Sequence, residues 1–257
     1  MALNKEIWAN DIQEMLLPDN SFVTKGTDYS VFADNNKIHI PVEYGKVNTE
    51  IDRAVLPGTV TASNDTEKVI VMHHYTTDPV RVFNPEDVEL SYDKRQVITR
   101  KIAESLNQKI AENALEALLK LGEKNGAKIL PLLRDIAKEF DEGDYPETDR
   151  FVLLSAESYS NLLKELTDVQ TNAFLGVANA ETGIIGNIFG LNILKRSTLG
   201  ASKAAAVAWH KRDYMFALAP VETYTDENNP TFYGTILSAS ARFGCFVPES
   251  AAPSTGD

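Results

Sequence analysis

Apolar side chains recur at three- and four-residue intervals between Ser91 and Leu121, as Ile98, Ile102, Leu106, Ile110, Leu118 and Leu121 with Ala114 continuing the row. That spacing lines one face of an α-helix. Lys94, Arg95, Arg100, Lys101, Glu104, Lys109, Glu112, Glu116 and Lys120 cover much of the remaining surface. Ser91 offers a hydroxyl N-cap and Gly122 a C-terminal stop. No Gly or Pro interrupts the stretch, so the pattern predicts a spine helix over 92–121. At 1.5 Å per residue it is roughly 40 Å long, a strut able to span a domain.

Upstream, residues 4–17 place Ile7, Trp8, Ile12, Met15 and Leu16 at helical spacing until Pro18 ends the pattern. A lone helix of this length is marginal in water, so its apolar side needs a surface on its own subunit or on a neighbour. Because Pro18 and polar residues separate it from the rest, deleting 1–17 is expected to leave a folded subunit. From Lys37 to Val82 the outer pieces alternate and are β-branched, while the middle holds Pro57, Gly58, Ser63, Asn64 and Asp65. This reads as one long hairpin projecting as a flap.

Downstream, 129–140 reads as a helix, 150–155 (RFVLLS) as a buried strand, and Ser155 as the cap of a helix with Tyr159, Leu162, Leu163 and Leu166 on one face. Residues 168–182 have no firm period, whereas 183–197 is apolar and glycine-punctuated, the mark of a strand following tight turns. Another strand is expected at 204–210. A β-rich run at 231–247 carries Gly234 and Gly244 as irregularities, and the DENNP turn before it lets its flanks pair. The last residues, 251–257, read as a disordered tail. No interdomain linker is visible, so the α/β middle over 129–210 is expected as an insertion in one framework.

The 257 residues are 43% hydrophobic and 24% charged, enough for a real core. A formal charge of −12 without a basic stripe argues against general polyanion binding. The single Cys245 allows no internal disulfide, and neither a signal peptide nor a long apolar run is present, so a cytoplasmic site of synthesis is expected.

Candidate chemistry is sparse. His73 and His74 are neighbours on an expected strand and therefore point to opposite faces; His39 and His210 stand apart from any Cys/His set. The GIIGNIFG stretch at 183–190 lacks the Lys and Ser/Thr of a phosphate loop, since Leu191 and Asn192 follow, and its spacing misses the dinucleotide fingerprint. Cys245 lies among Phe243, Phe246 and Val247 as an inert buried thiol would, and Ser155 and Ser158 lack a nucleophile-elbow context. No catalytic, cofactor-binding or metal-ligating residue is expected.

The order of elements resembles the major capsid proteins of tailed bacteriophages, the Hong Kong 97-type shell fold. The likeness rests on the spine-like DKRQVITRKIAESLNQKIAENALEALL, the strand-to-helix phrase at 149–166, the GIIGNIFGLNILKRSTL segment at 183–199, and the passages at 206–222 and 233–250. It implies an α+β fold with an N-terminal arm (1–36), an extended loop (37–82), a peripheral domain (83–128 and 211–250) containing the spine, and an axial domain (129–210). It further implies a non-enzymatic subunit that self-assembles as pentamers and hexamers into an icosahedral head around double-stranded DNA. Scaffold, portal and decoration proteins are the implied partners, with no membrane; the location is the virion, and the host cytoplasm during assembly. Unlike many members, this sequence shows no long charged N-terminal scaffolding segment, so a separate scaffold or none is expected, and no motif singles out a flap lysine, Lys46 or Lys68, for crosslinking to a neighbour. Two other readings remain: an encapsulin-type nanocompartment shell, and a soluble α/β enzyme with a site built from the glycine-rich segment and His210.

Overall fold

The computed structural model describes residues 11–12, 15–19, 21–33, 37–44, 64–83, 94–121, 123–126, 128–200, 204–229, 231 and 234–247. In chain order, a 3₁₀ turn (Phe22–Thr24) leads to β1 (Thr27–Asp28), a second 3₁₀ turn (Ser30–Phe32), β2 (Lys37–Tyr44), β3 (Asn64–Val71), β4 (His73–Thr76), β5 (Val80–Phe83) and α1 (Lys94–Leu119). Then come β6 (Glu123–Lys124), α2 (Ile129–Glu142), β7 (Arg150–Ser155), α3 (Ala156–Glu165), α4 (Asp168–Leu175), β8 (Gly186–Ile188) and β9 (Leu191–Arg196). The chain closes with β10 (Ala206–His210), β11 (Met215–Leu218), β12 (Glu222–Asn229) and β13 (Gly234–Phe246). The mixture is α+β.

α1 is the spine. Ile98, Ile102, Leu106, Ile110, Ala114 and Leu118 are all buried, and Thr99, Ala103 and Leu115 widen the stripe, while Arg100, Lys101, Glu104, Glu112 and Glu116 stay exposed. At about 1.5–3 kcal/mol for each large side chain, this face is worth on the order of 10 kcal/mol, enough to place the helix. The expected cap Ser91 and stop Gly122 lie outside the described residues.

Two sheets meet the spine. In the larger, the 13-residue β13 is central: β11 and β12 pair along one side, β4 and β5 along the other, and β1 adds in parallel to β11. Alternation along β13 turns Leu237, Ala239, Ala241 and Phe243 toward α1, in one core with Phe216 and Val221. The smaller sheet has the order β6-β10-β7-β9-β8, with β7 and β9 parallel across the crossover through α3 and α4. Here Phe151 and Leu153 join the spine core, whereas Val152 and Leu154 face a second core made with Leu133, Ile136, Leu162 and Phe174 from α2, α3 and α4. The five-stranded sheet is thus an insert in a framework closed by β11 to β13.

Three expectations change. The hairpin read over 37–82 ends at Val71: β2 and β3 pair from Lys37↔Val71 to Tyr44↔Asn64, but β4 and β5 belong to the larger sheet. β-branched alternation reads the same for either partner, and only the long-range pairing tells them apart. Ile38, Ile70 and Met72 press the hairpin base onto Ala217 and Ala219, on the sheet face away from the spine. Gly244 makes that crossing possible, because a Cβ there would meet the Val71 carbonyl oxygen at 2.7 Å.

Second, the N-terminal segment packs into the framework, against the separation that Pro18 suggested. Ile12 and Leu16 are buried in the spine core; Asn107 accepts from the Leu17 N–H and donates to the Met15 carbonyl, both at 2.9 Å. Residues 1–10 of that stretch lie outside the described residues, as do the flap tip at 45–63 and the tail at 251–257. Third, 168–175 is a helix, α4, opened by a Thr167/Gln170 capping box.

Candidate functional site

Each residue singled out for chemistry has a structural occupation. His210 ends β10, 3% exposed, with Nε2 3.0 Å from the Thr148 carbonyl oxygen and Nδ1 accepting the Arg212 N–H at 3.2 Å. Both ring nitrogens are therefore spent on backbone. Across the sheet, β8 lies three strand positions from β10, roughly 14 Å at ordinary strand spacing. The glycine-rich segment and His210 accordingly do not form one site. Gly183 and Gly190 have φ of 70° and 76°, the left-handed turns their residue type permits, and Gly186 leaves space that the Phe174 ring fills.

His73 and His74 pair with Phe243 and Arg242 on β13 and point to opposite faces, both exposed. Ser155 caps α3, its hydroxyl accepting the Ser158 N–H at 3.1 Å. Burial pushes the Cys245 thiol up to about 12, and its sulfur sits 3.3 Å from Asn113 Oδ1. Such a thiol is a poor nucleophile at neutral pH. Among the described residues, no group of His, Cys, Asp and Glu could hold a metal ion, and no helix is long and apolar enough to cross a membrane.

A polar cluster joins β7 to the end of α2 and the loop between them. Arg150, 3% exposed, donates to Asp141 Oδ1 at 2.7 Å, to the Tyr145 carbonyl at 2.6 Å and to the Pro146 carbonyl at 2.8 Å. Nearby, burial raises the Asp213 carboxyl from its ordinary pKa, and the Tyr145 hydroxyl donates to it. With its donors turned inward to carbonyls and a carboxylate, Arg150 fastens a loop and presents little to a ligand.

Among its charged residues the surface also presents single apolar side chains. Val31 and Phe32, on the second 3₁₀ turn, are 85% and 65% exposed; Val169 on α4 is 80% exposed. Phe189 sits at the β8–β9 turn with φ 53° and is 47% exposed, an uncommon backbone for a bulky residue. Sequence periodicity misses all four, because single apolar residues in turns and short helices have no pattern to join. The Thr167-x-x-Gln170 spacing, by contrast, is a legible signal for α4.

No protein-family model matches the sequence, and no curated protein matches it. Solved structures do. A Mycobacterium phage Che8 structure is 15% identical over 94% of this chain and 88% of that one, with a TM-score of 0.63. The capsid of Cyanophage P-SCSP1u is 14% identical over 89% and 84%, TM-score 0.65, and the capsid of the native GTA particle 13% identical over 92% and 89%, TM-score 0.67. At such identity the likeness is one of backbone path: the chain has the Hong Kong 97-type fold of phage capsid proteins.

Proposed function

We propose that the chain is a major capsid protein, the structural subunit of an icosahedral phage head that works by self-association rather than catalysis. The observation that carries this reading is coverage: 92% of this chain and 89% of the GTA particle chain align, so little of either lies outside the common fold. In this reading α1 and the larger sheet form the plate of a peripheral domain (83–128 and 211–250). The insert, 129–210, is the axial domain packing around five- and six-fold positions; the arm (1–36) is seated on its own subunit through Ile12, Leu16, Phe22 and β1, and the extended loop (37–82) reaches an adjacent subunit beyond the base that Ile38, Ile70 and Met72 fix. Exposed Val31, Phe32, Val169 and Phe189 supply apolar contacts to second copies. Such head-to-tail contacts close into rings, here pentamers and hexamers, and then a shell. The charge of −12 suits a wall that encloses double-stranded DNA without gripping it. Scaffold, portal and decoration proteins are the expected further partners, the virion the final location and the host cytoplasm the place of assembly.

Electron microscopy of the purified recombinant protein tests the reading. Closed shells are expected; a discrete monomer or small oligomer would overturn it, and shells filled with one copurified enzyme would assign the chain to an encapsulin-type compartment. Replacing residues 50–65 with a short Gly-Ser turn should preserve the melting transition while abolishing closed particles. Normal shells from that variant would remove the extended loop from the assembly mechanism.

A further inference from the structure

Arg196 ends β9, opposite Ser155 at the end of β7, but its side chain leaves the insert. Nη1 donates to the Ala111 carbonyl of α1 at 3.0 Å, and the guanidinium lies over the Phe22 ring, 5.2 Å from its centroid. Three segments far apart in sequence thus meet on one planar cation. The Ala111 carbonyl lies mid-helix, where the amide one turn further on already satisfies it, so this bond ties α1 to the insert and is not needed to complete the helix. Burial lowers the guanidinium pKa from its ordinary value while Glu112 pulls the other way, which marks the group as partly desolvated.

The strap under Arg196 is fastened at its far end too. Trp209 of β10 donates from Nε1 to the Lys25 carbonyl at 2.9 Å, and the Thr27 N–H donates to the Tyr214 carbonyl at 2.8 Å. Residues 21–28 are therefore held by two strands of the insert and the turn that leaves it, as well as by β11 of the framework and the spine core. Beside Arg196 a groove of about 740 Å³ opens between α1 and the segment after β9, lined by Gln108, Glu112, Leu115, Leu119, Thr198 and Gly200. On this side, close packing is interrupted and the guanidinium bridges the gap.

We infer that Arg196 is a positioning residue that couples docking of the 21–28 strap to the seating of the insert on α1, so that loosening either loosens the other. The coupling is reciprocal by thermodynamic necessity: whatever displaces the strap, including a second copy of the chain, weakens the insert's hold on α1 by the same factor. The inference stands on this geometry and does not depend on the shell reading.

Hydrogen exchange on the full-length chain tests it with two conservative variants. Arg196→Lys keeps the charge but loses the planar fork and its stacking, and Phe22→Leu keeps the burial but removes the ring face. Each single variant should speed exchange roughly tenfold both in 21–28 and around 111–115, the scale of one lost hydrogen-bonded contact. The double variant should add little beyond the larger single effect. Effects confined to the mutated segment, additive effects, or wild-type exchange in Arg196→Lys would each overturn the coupling. Loss of protection in β13 as well would make Arg196 a general stability residue and overturn it equally.

Discussion

The Phe174 ring occupies the space that a side chain at Gly186 would need. That single relationship seats α4 on the edge strand β8 and closes the second core, where Phe174 is 2% exposed. Gly186→Ala should therefore push the ring outward and lower stability by about 1–3 kcal/mol, read as a drop in Tm of several degrees. Gly190→Asn is the control. Its φ of 76° suits Asn, and no atom lies within 4 Å of a Cβ there, so a near-wild-type Tm is expected.

The N-terminal segment contributes to the subunit's own core. Ile12 is 0% exposed and Leu16 5% exposed, beside α1. Ile12→Ala should cost about 2–5 kcal/mol in denaturant unfolding, and deletion of 1–17 more, through loss of both side chains and the Asn107 bonds. Wild-type melting after the truncation would mean that the segment docks without stabilising.

On α1, Ile110→Asp places a carboxylate where the native side chain is 0% exposed. A carboxylate there stays buried unless the helix moves, so the expected cost is at least about 3 kcal/mol, with insoluble or unfolded protein on expression. Glu104→Ala, on the exposed face, should change stability by no more than about 0.5 kcal/mol.

Cys245 gives a pH prediction. Burial raises the folded-state thiol to about 12, above its unfolded value. The stability linked to the neutral thiol is present below the unfolded pKa and is lost as pH rises from there toward 12. At pH 8, reaction with a disulfide reagent should be slower in native than in denatured protein by roughly ten- to a hundredfold, the smaller thiolate fraction outweighing the higher nucleophilicity of a more basic thiolate. Equal rates in the two states would place the sulfur in solvent.

Tyr214 carries a buried hydroxyl without a hydrogen-bond partner among the described residues, its ring stacked on Phe216 at 6.0 Å between centroids and packed against Gly26. An unpaired buried hydroxyl costs about 1–3 kcal/mol of desolvation. Tyr214→Phe should then be neutral or raise Tm by a few degrees. A clear loss of stability would reveal a partner for the hydroxyl in solution.

Local pattern determined much of this protein. The Ile98 to Leu118 stripe, the apolar run of β7 and the Ser155 cap each depend on residues within a few positions of one another, so helix, strand and boundary are legible from the chain alone, whereas the DENNP stretch read as a turn runs on in β12 as far as Asn229. The order of those elements was enough to point to the shell fold. What only the tertiary structure decided is which pieces share a partner: β4 leaving the hairpin for β13, Ile12 entering the spine core, Phe174 needing the bare backbone of Gly186, and Arg196 reaching Ala111 and Phe22. Those contacts join residues distant in sequence, where a β-branched strand, a lone arginine or a glycine carries no mark of its partner. The partner is selected by the free energy of closing one packed core, which no short window of sequence contains.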